Sequence, residues 1–387
     1  MPSTAIRPSL RSDRLGFSDI VKIRNQVLAM TAAGKEVIRL EGGEPFPPTP
    51  DFIKDAIKRA LDRNQTRYAP SSGIPELLEA VARKVAARNG IPASPSQAIV
   101  VNGGAHGLFA AFQTLLDEED EAIFFSPYWT PIRDQVRYTG ATPVTIPWSE
   151  LARGSAGDAI ARRVTPRTRL VYVNTPCNPT GDVLDRVQLE SVARVAAEHD
   201  LLVVADEAYE DLTYDEPHVS IASLPGMFER TITVYTLSKS FSLTGARIGY
   251  VVAPEPFMTA LRKIVLNSTN GVSTPTQYGA VAALTDSAGY LEANRGEYRA
   301  RRDFLTRAVS EAGFRCATAR GAFYVFADVR ERLDGDSWQA MSALLDRTAV
   351  ATVPGAVFGP EGEGHLRMSF SNPMSVLEAA AGALRRL

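Results

Sequence analysis

Between about residues 50 and 280 the chain alternates short apolar runs with amphipathic stretches, a rhythm that predicts strands of a mostly parallel sheet joined by crossover helices. The runs fall at residues 98–101, 121–125, 170–173, 201–205, 232–235 and 248–252. Between them, residues 75–88 set Leu78, Val81 and Val85 on one face. Pro75 stands in the first turn of that stretch, and Gly90 and Pro92 follow its end, so a helix is expected. A second helix is expected over 185–199, with Leu189, Val192 and Val195 or Ala196 turned inward. Beyond residue 285 the rhythm changes to a long charged helix over 290–311, a strand over 322–327 and a helix from Ser337. Strands near Ala349 and over 366–371 and a closing helix complete it. The expected division is an N-terminal arm and lid segment over 1–48 packing with the small domain, a large domain over 49–284, and a smaller α+β domain over 285–387. No internal repeat or low-complexity linker breaks this order.

Composition narrows the function class. A chain of 387 residues, 45% hydrophobic, can bury one large core or two domains and reads as a soluble globular protein. Its net charge of −2, with acids and bases scattered, offers no basic patch, so neither nucleic acid nor a membrane surface is an expected partner. A small-molecule substrate fits better. Cys177 and Cys316 form neither a disulfide framework nor a metal-ligand spacing, and four scattered histidines add no metal cluster, so a reducing cytoplasm is expected. Residues 1–16 carry Arg7, Arg11 and Arg14 among Ser and Pro without an apolar segment. They read as a flexible arm rather than a secretory signal, with an organelle transit peptide as the alternative. No apolar run approaches the length of a membrane span.

In sheets of this kind ligands lie beyond the carboxyl ends of the strands. After Val101, Asn102-Gly103-Gly104-Ala105-His106-Gly107 leads into a helix expected from Leu108, which would aim free N–H groups and a positive helix end at a phosphate. The same turn could merely reverse the chain. After Phe125, Ser126-Pro127-Tyr128-Trp129 offers an indole for stacking, or simply a core aromatic. After Val173, the rigid turn Asn174-Thr175-Pro176-Cys177-Asn178-Pro179-Thr180-Gly181 can aim the amide of Asn178 into the crevice, or serve structure alone. Asp206 leaves a buried strand, where a carboxylate is costly unless paired with a cation such as a protonated ring nitrogen; capping a helix is the alternative. Lys239 alone reads as a surface lysine. With Thr236, Ser238 and Arg247 around it, and the cradle opposite, it reads as a nucleophilic amine beside a bound phosphate.

These motifs, in this order, resemble the pyridoxal-phosphate-dependent aminotransferases of the aspartate aminotransferase family, class I/II, fold type I. The resemblance runs from Leu40-Glu41-Gly42-Gly43-Glu44-Pro45 and Thr66-Arg67-Tyr68-Ala69-Pro70 to Arg367-Met368-Ser369-Phe370. It implies pyridoxal 5′-phosphate as cofactor and Lys239 as its Schiff-base lysine and proton shuttle. Asp206 is implied on the ring nitrogen, and Tyr209 and Asn178 on the ring's 3-oxygen. Gly104, Ala105, His106, Thr236 and Arg247 are implied at the phosphate, Trp129 against the ring, Arg367 on the substrate α-carboxylate, and Gly43 on the closing lid. Tyr68 resembles a tyrosine that reaches the phosphate of the neighbouring subunit, which implies a homodimer. The implied reaction moves an amino group from an L-amino acid to a 2-oxo acid by ping-pong kinetics. Ala105-His106, Ala246 and Cys177 depart from the family's common residues, and no residue is identified for a distal carboxylate. Phe17, Phe46, Tyr128 and residues 267–274 are expected to line the side-chain pocket. A β-eliminating lyase, a cyclising enzyme on the same fold, and a non-catalytic ligand-binding regulator stand as alternatives.

Overall fold

The structure, a computed structural model, describes residues 8–151 and 155–387. Its centre is a sheet of seven strands. They are β2 (Ala98–Val101), β3 (Glu121–Ser126), β4 (Thr142–Pro147), β5 (Thr168–Asn174), β6 (Leu202–Asp206), β7 (Thr231–Thr236) and β8 (Gly249–Val252), following β1 (Ile38–Arg39) in the chain. The order across the sheet is β2-β8-β7-β6-β5-β3-β4. Pairing is parallel throughout except for β8, which runs antiparallel to both neighbours.

Alternate residues of these strands enter different cores. Leu170, Tyr172, Val204 and Val234 pack on one face with Phe112 and Phe124, while Val171, Val173, Val203 and Ala205 pack on the other with Leu189, Val192 and Val195. Burial on both faces explains why these strands read as continuous apolar runs. β4 was not anticipated: it is an edge strand, partly exposed along most of its length, with prolines at its second and last positions. The glycine-rich turn after β2 also differs from expectation. The helix there is Gly104–Leu115, so Gly104, Ala105 and His106 form its first turn instead of a preceding loop. Asp185 caps the helix Arg186–Glu198 through a capping box with Gln188.

The later part of the chain builds a second layer. β9 (Arg315–Cys316), β10 (Tyr324–Asp328), β12 (Val353–Pro354) and β13 (His365–Ser369) form an antiparallel sheet in the order β12-β13-β10-β9, and β11 (Val350–Ala351) pairs in parallel with β1. The helices Ala288–Glu311 and Met374–Leu384 cover one face, where Leu305, Phe323, Leu366 and Leu377 meet. On the other face the helix Asp19–Ala32 sets Ile23 and Val27 against Val353 and Phe358. The start of the arm goes elsewhere. The Gly16 N–H donates to Asp134 Oδ2 at 3.2 Å and Arg14 pairs with Glu118 at 3.2 Å, so complementary charge draws this part of residues 1–48 onto the seven-stranded layer. Arg7 lies outside the described residues.

Among the described residues, no helix is long and apolar enough to cross a membrane and no group of His, Cys, Asp or Glu could hold a metal ion.

Candidate active site

The central strands end at one edge, and the sheet register fixes what stands there. β5 and β6 pair Asn174 with Asp206, and Asn174 Nδ2 donates to the Asp206 carbonyl at 3.2 Å. Asn174 Oδ1 in turn accepts the N–H of Asn178 at 3.1 Å, which pins the proline-rich turn. Asp206 is only 5% exposed, and its carboxylate accepts from the Tyr172 hydroxyl at 2.6 Å and the Ala208 N–H at 3.2 Å. Burial lifts its pKa to about 6 against the pull of those donors. Asp206 therefore sits at the end of its strand with two donors and no cationic side chain bonded to it. The capping alternative is not realised, since no helix begins at this position among the described residues.

Lys239 stands at the end of the neighbouring strand. It lies in the single-turn helix Leu237–Ser240, which Thr236 caps by accepting the Ser238 N–H at 3.2 Å. Lys239 Nζ donates to the Gly43 carbonyl at 2.7 Å, bringing the lid segment over the sheet edge. Its pKa is lowered to about 8, first by burial and then by the positive charge of Arg367, with Glu44 opposing. With that value roughly a tenth of the amine is neutral at pH 7, far more than for an ordinary lysine, as a nucleophilic amine requires. An added Cβ on Gly43 would come within 3.1 Å of the Tyr324 hydroxyl, so a larger residue would crowd the lid's approach.

Arg367 is 2% exposed and has no carboxylate within ion-pairing distance among the described residues. One guanidinium nitrogen donates to Asn178 Oδ1 and another to the Glu41 carbonyl, each at 2.9 Å, while Nε has no partner. Tyr324 and Phe358 lie against the guanidinium, with Cζ 4.3 and 4.9 Å from their ring centroids. A buried cation without an acid is unfavourable until an anion arrives. Because Asn178 Oδ1 accepts from Arg367, its amide nitrogen remains free to donate toward the crevice. The Tyr209 and Tyr324 hydroxyls lie 2.9 Å apart.

The expected phosphate cradle draws on two distant segments. The N–H groups of Gly104 and Ala105 open the helix Gly104–Leu115 without partners among the described residues. His106 differs from expectation: its N–H donates to the Gly103 carbonyl, Nδ1 accepts the Asn102 N–H at 3.1 Å, and Nε2 lies 2.8 Å from Ser268 Oγ. Its polar atoms are thus taken up by the turn and by Ser268 on the helix Glu255–Thr269. Arg247 is exposed and, among the described residues, bonded only to the carbonyls of Thr244 and Asn102, at 2.9 and 3.3 Å. It adopts φ 53°, a left-handed conformation that costs a non-glycine residue roughly 1–2 kcal/mol. Gly103 makes room for it, since a Cβ there would lie 2.7 Å from Arg247 Nη2. Free amides, an acid-free arginine and the nearby Thr236 hydroxyl suit a phosphate.

Trp129 is partly buried beside the core that contains Phe124 and Tyr172. Tyr68 is the outlier, 91% exposed and uncovered by its own chain. Phe17 is 93% exposed, whereas Tyr128 is buried and Phe46 packs edge-on to Tyr298. Cys177 is inert, its thiol pushed up to about 12 by burial. Two contributors escaped sequence reasoning: Tyr172 and Tyr324. The spacing of Tyr172, two residues before Asn174 on one strand face, is the only signal that could have found either of them.

Comparison with known proteins agrees with this geometry. The family model described as "Aminotransferase class I and II" matches residues 35–384. The chain belongs to that family. Aspartate/prephenate aminotransferase of Thermus thermophilus is 37% identical over 98% of both chains, and aromatic-amino-acid aminotransferase 2 of Thermococcus litoralis is 38% identical over 97% of both. The solved aspartate aminotransferase from Thermus thermophilus with maleate superposes with a TM-score of 0.94 at 36% identity, covering 98% of this chain and 99% of that one. The fold is the type I α/β fold of these aminotransferases, and the enzyme uses pyridoxal 5′-phosphate to move amino groups between amino acids and 2-oxo acids. The free amides and the acid-free Arg247 fit the phosphate of that cofactor, and Asp206 fits its ring nitrogen.

Proposed function

We propose that this aminotransferase works at the crevice between the two sheet layers, taking residues 49–284 as the cofactor-binding domain, 285–387 as the smaller domain and 1–48 as arm and lid. The observation that carries the assignment is the convergence of Asp206, Lys239 and Arg367, from β6, the turn after β7 and β13, on one buried edge. Bound pyridoxal phosphate supplies a carbonyl for condensation with amines and a ring that takes up the electron pair of the substrate's Cα–H bond. Arg247, the Thr236 hydroxyl and the N–H groups of Gly104 and Ala105 hold the phosphate. Asp206 keeps a proton on the ring nitrogen, and Tyr209 with the free amide nitrogen of Asn178 holds the 3-oxygen. Trp129 covers the ring. Arg367 grips the substrate α-carboxylate as a fork, with Asn178 beside it, and Gly43 lets the lid close over it. Lys239, partly neutral, carries the cofactor and moves the proton from the substrate Cα.

Two finer readings follow. Tyr68, stranded in solvent on one chain, supports a homodimer in which it completes the partner's phosphate site. Sedimentation of the holoenzyme tests this: a monomer of full activity would refute it. Arginines against the crevice segments already hold acids, Arg39 with Glu41, Arg24 with Glu44 and Arg133 with Asp134. We identify no further cation for a distal carboxylate, which favours amino donors with uncharged side chains. A panel of amino donors against 2-oxoglutarate and pyruvate checks both points. Turnover that needs no added 2-oxo acid would replace transamination with elimination or ring closure, and a donor preference for aspartate would refute the specificity. A cytoplasmic location belongs to the same reading.

A further inference from the structure

The carboxylate that ends β6 has a partner outside the recognised motifs. On β5 and β6 the register pairs Tyr172 with Val204 and Asn174 with Asp206, so Tyr172 and Asp206 are diagonal neighbours on one sheet face. The phenol spans this diagonal and donates to Asp206 Oδ2 at 2.6 Å. Phe112 and Phe124 hold the Tyr172 ring, their centroids 6.0 and 6.5 Å away. Behind it, Phe125, Tyr128, Trp148, Asn174 and Cys177 leave a cavity of only about 10 Å³, room for one water at most. Bulk water cannot replace the phenol.

We propose that Tyr172 is a positioning residue of the reaction: its hydroxyl fixes the Asp206 carboxylate so that the remaining lone pairs face the ring nitrogen of pyridoxal phosphate. The inference rests on the assignment of Asp206 to that nitrogen. The groups facing Asp206 are Tyr172 and Asn174 from β5, Glu207 and Tyr209 from its own segment, and Lys239 from the next strand's end, while Cys177 from the turn after β5 faces Tyr172. Burial raises the carboxyl to about 6; the Tyr172 hydrogen bond, the Ala208 N–H and Lys239 oppose burial, and Glu207 adds to it. Burial likewise pushes Tyr172 well above the ordinary tyrosine value, so it stays protonated and can only donate to the anion. Asp206 is anionic only above its pKa. Losing the phenol therefore moves the pH at which the ring contact fails upward, each unit corresponding to a factor of ten in the proton equilibrium.

The experiment measures cofactor affinity of the apo full-length protein from pH 5.5 to 8.5, for the parent, Tyr172→Phe and Asp206→Ala. The ligands are pyridoxal phosphate and its 1-deaza analogue, which carries a ring CH in place of nitrogen. Tyr172→Phe is expected to bind pyridoxal phosphate about ten-fold more weakly at pH 7, with its pH midpoint shifted up, and to bind the deaza analogue as the parent does. Equal losses for both ligands, or none, overturn the proposal, because a role in shape alone does not distinguish them. If instead Asp206→Ala keeps the parent's preference between the two ligands, the ring-nitrogen assignment itself fails. Should Tyr172→Phe not fold, a fluorinated tyrosine at position 172, nearly isosteric and a stronger donor, is expected to shift the midpoint down. No shift there overturns the proposal equally.

Discussion

Replacing Arg367 with Met separates a substrate-binding cation from a structural one, because the two roles predict opposite effects on stability. The guanidinium is 2% exposed, bonded to two neutral acceptors and unopposed by any acid among the described residues. Leaving Asn178 Oδ1 and the Glu41 carbonyl unpaired costs roughly 1–3 kcal/mol each. Removing an uncompensated buried charge returns several kcal/mol of desolvation. The terms nearly cancel, so Arg367→Met should unfold within about 2 kcal/mol of the parent, a shift of a few degrees. Activity should behave differently. A fork of two charge-assisted hydrogen bonds at about 1.5–3 kcal/mol each implies a fall in kcat/KM of about 10²–10⁴ in both half-reactions, with Arg367→Lys intermediate. The assays are thermal unfolding with and without 2-oxoglutarate, and stopped-flow rates of each half-reaction. The anion should stabilise the parent and leave Arg367→Met unmoved. A variant that unfolds many degrees early, or that retains the parent's affinity for the 2-oxo acid, would refute the reasoning.

Borohydride reduction followed by mass measurement should find cofactor attached at Lys239 in the parent and nowhere in Lys239→Ala. Because burial holds the free amine's pKa at about 8, the attachment rate should climb with pH and level off above that value; a climb continuing toward 10.5 would contradict the depressed pKa. Gly103→Ala forces a Cβ within 2.7 Å of Arg247 Nη2 at φ 79°, so pyridoxal phosphate affinity measured by titration should fall roughly ten-fold or more. Just beyond β6, Glu207 lies 3.1 Å from His218. Burial lowers the imidazole's pKa, but the Glu207 charge outweighs it and leaves the value above the ordinary one. The resulting stabilisation is complete below pH about 6.5 and fades as pH rises through the raised folded value. Chemical denaturation should show greater stability at pH 6 than at pH 8.5 from this pair, and His218→Gln should shrink the difference; an unchanged difference would exclude the pair as its source.

What the sequence disclosed depended on how local the physics was. β2, β3, β5, β6 and β7 were legible because burial on both faces demands unbroken apolar runs. β4, partly exposed and flanked by proline, satisfies no such demand. Lys239, Asp206 and Asn178 follow directly from strand ends and turns, so their neighbourhood was readable. The hydrogen bonds that tune them were not. Tyr172 meets Asp206 across a register, Tyr324 meets Tyr209 across layers, and His106 reaches Ser268 on a later helix; each is settled by packing between segments far apart in sequence. The starting point of the helix Gly104–Leu115 was misread because glycine at its first position has poor helix propensity, which the free end, aimed at the crevice, overrides.

The antiparallel β8 also ties distant stretches of chain together. It slots between β2 and β7 and delivers Arg247 to the Asn102 carbonyl across 145 positions of chain, so the phosphate end is complete once residue 252 has joined the sheet. The guanidinium of Arg367 closes onto Glu41 across 326 positions. On the proposed assignment, the groups for the phosphate are therefore all encoded well before the group for the substrate carboxylate. A C-terminally shortened chain that still folds its seven-stranded layer would be a cofactor carrier without a substrate.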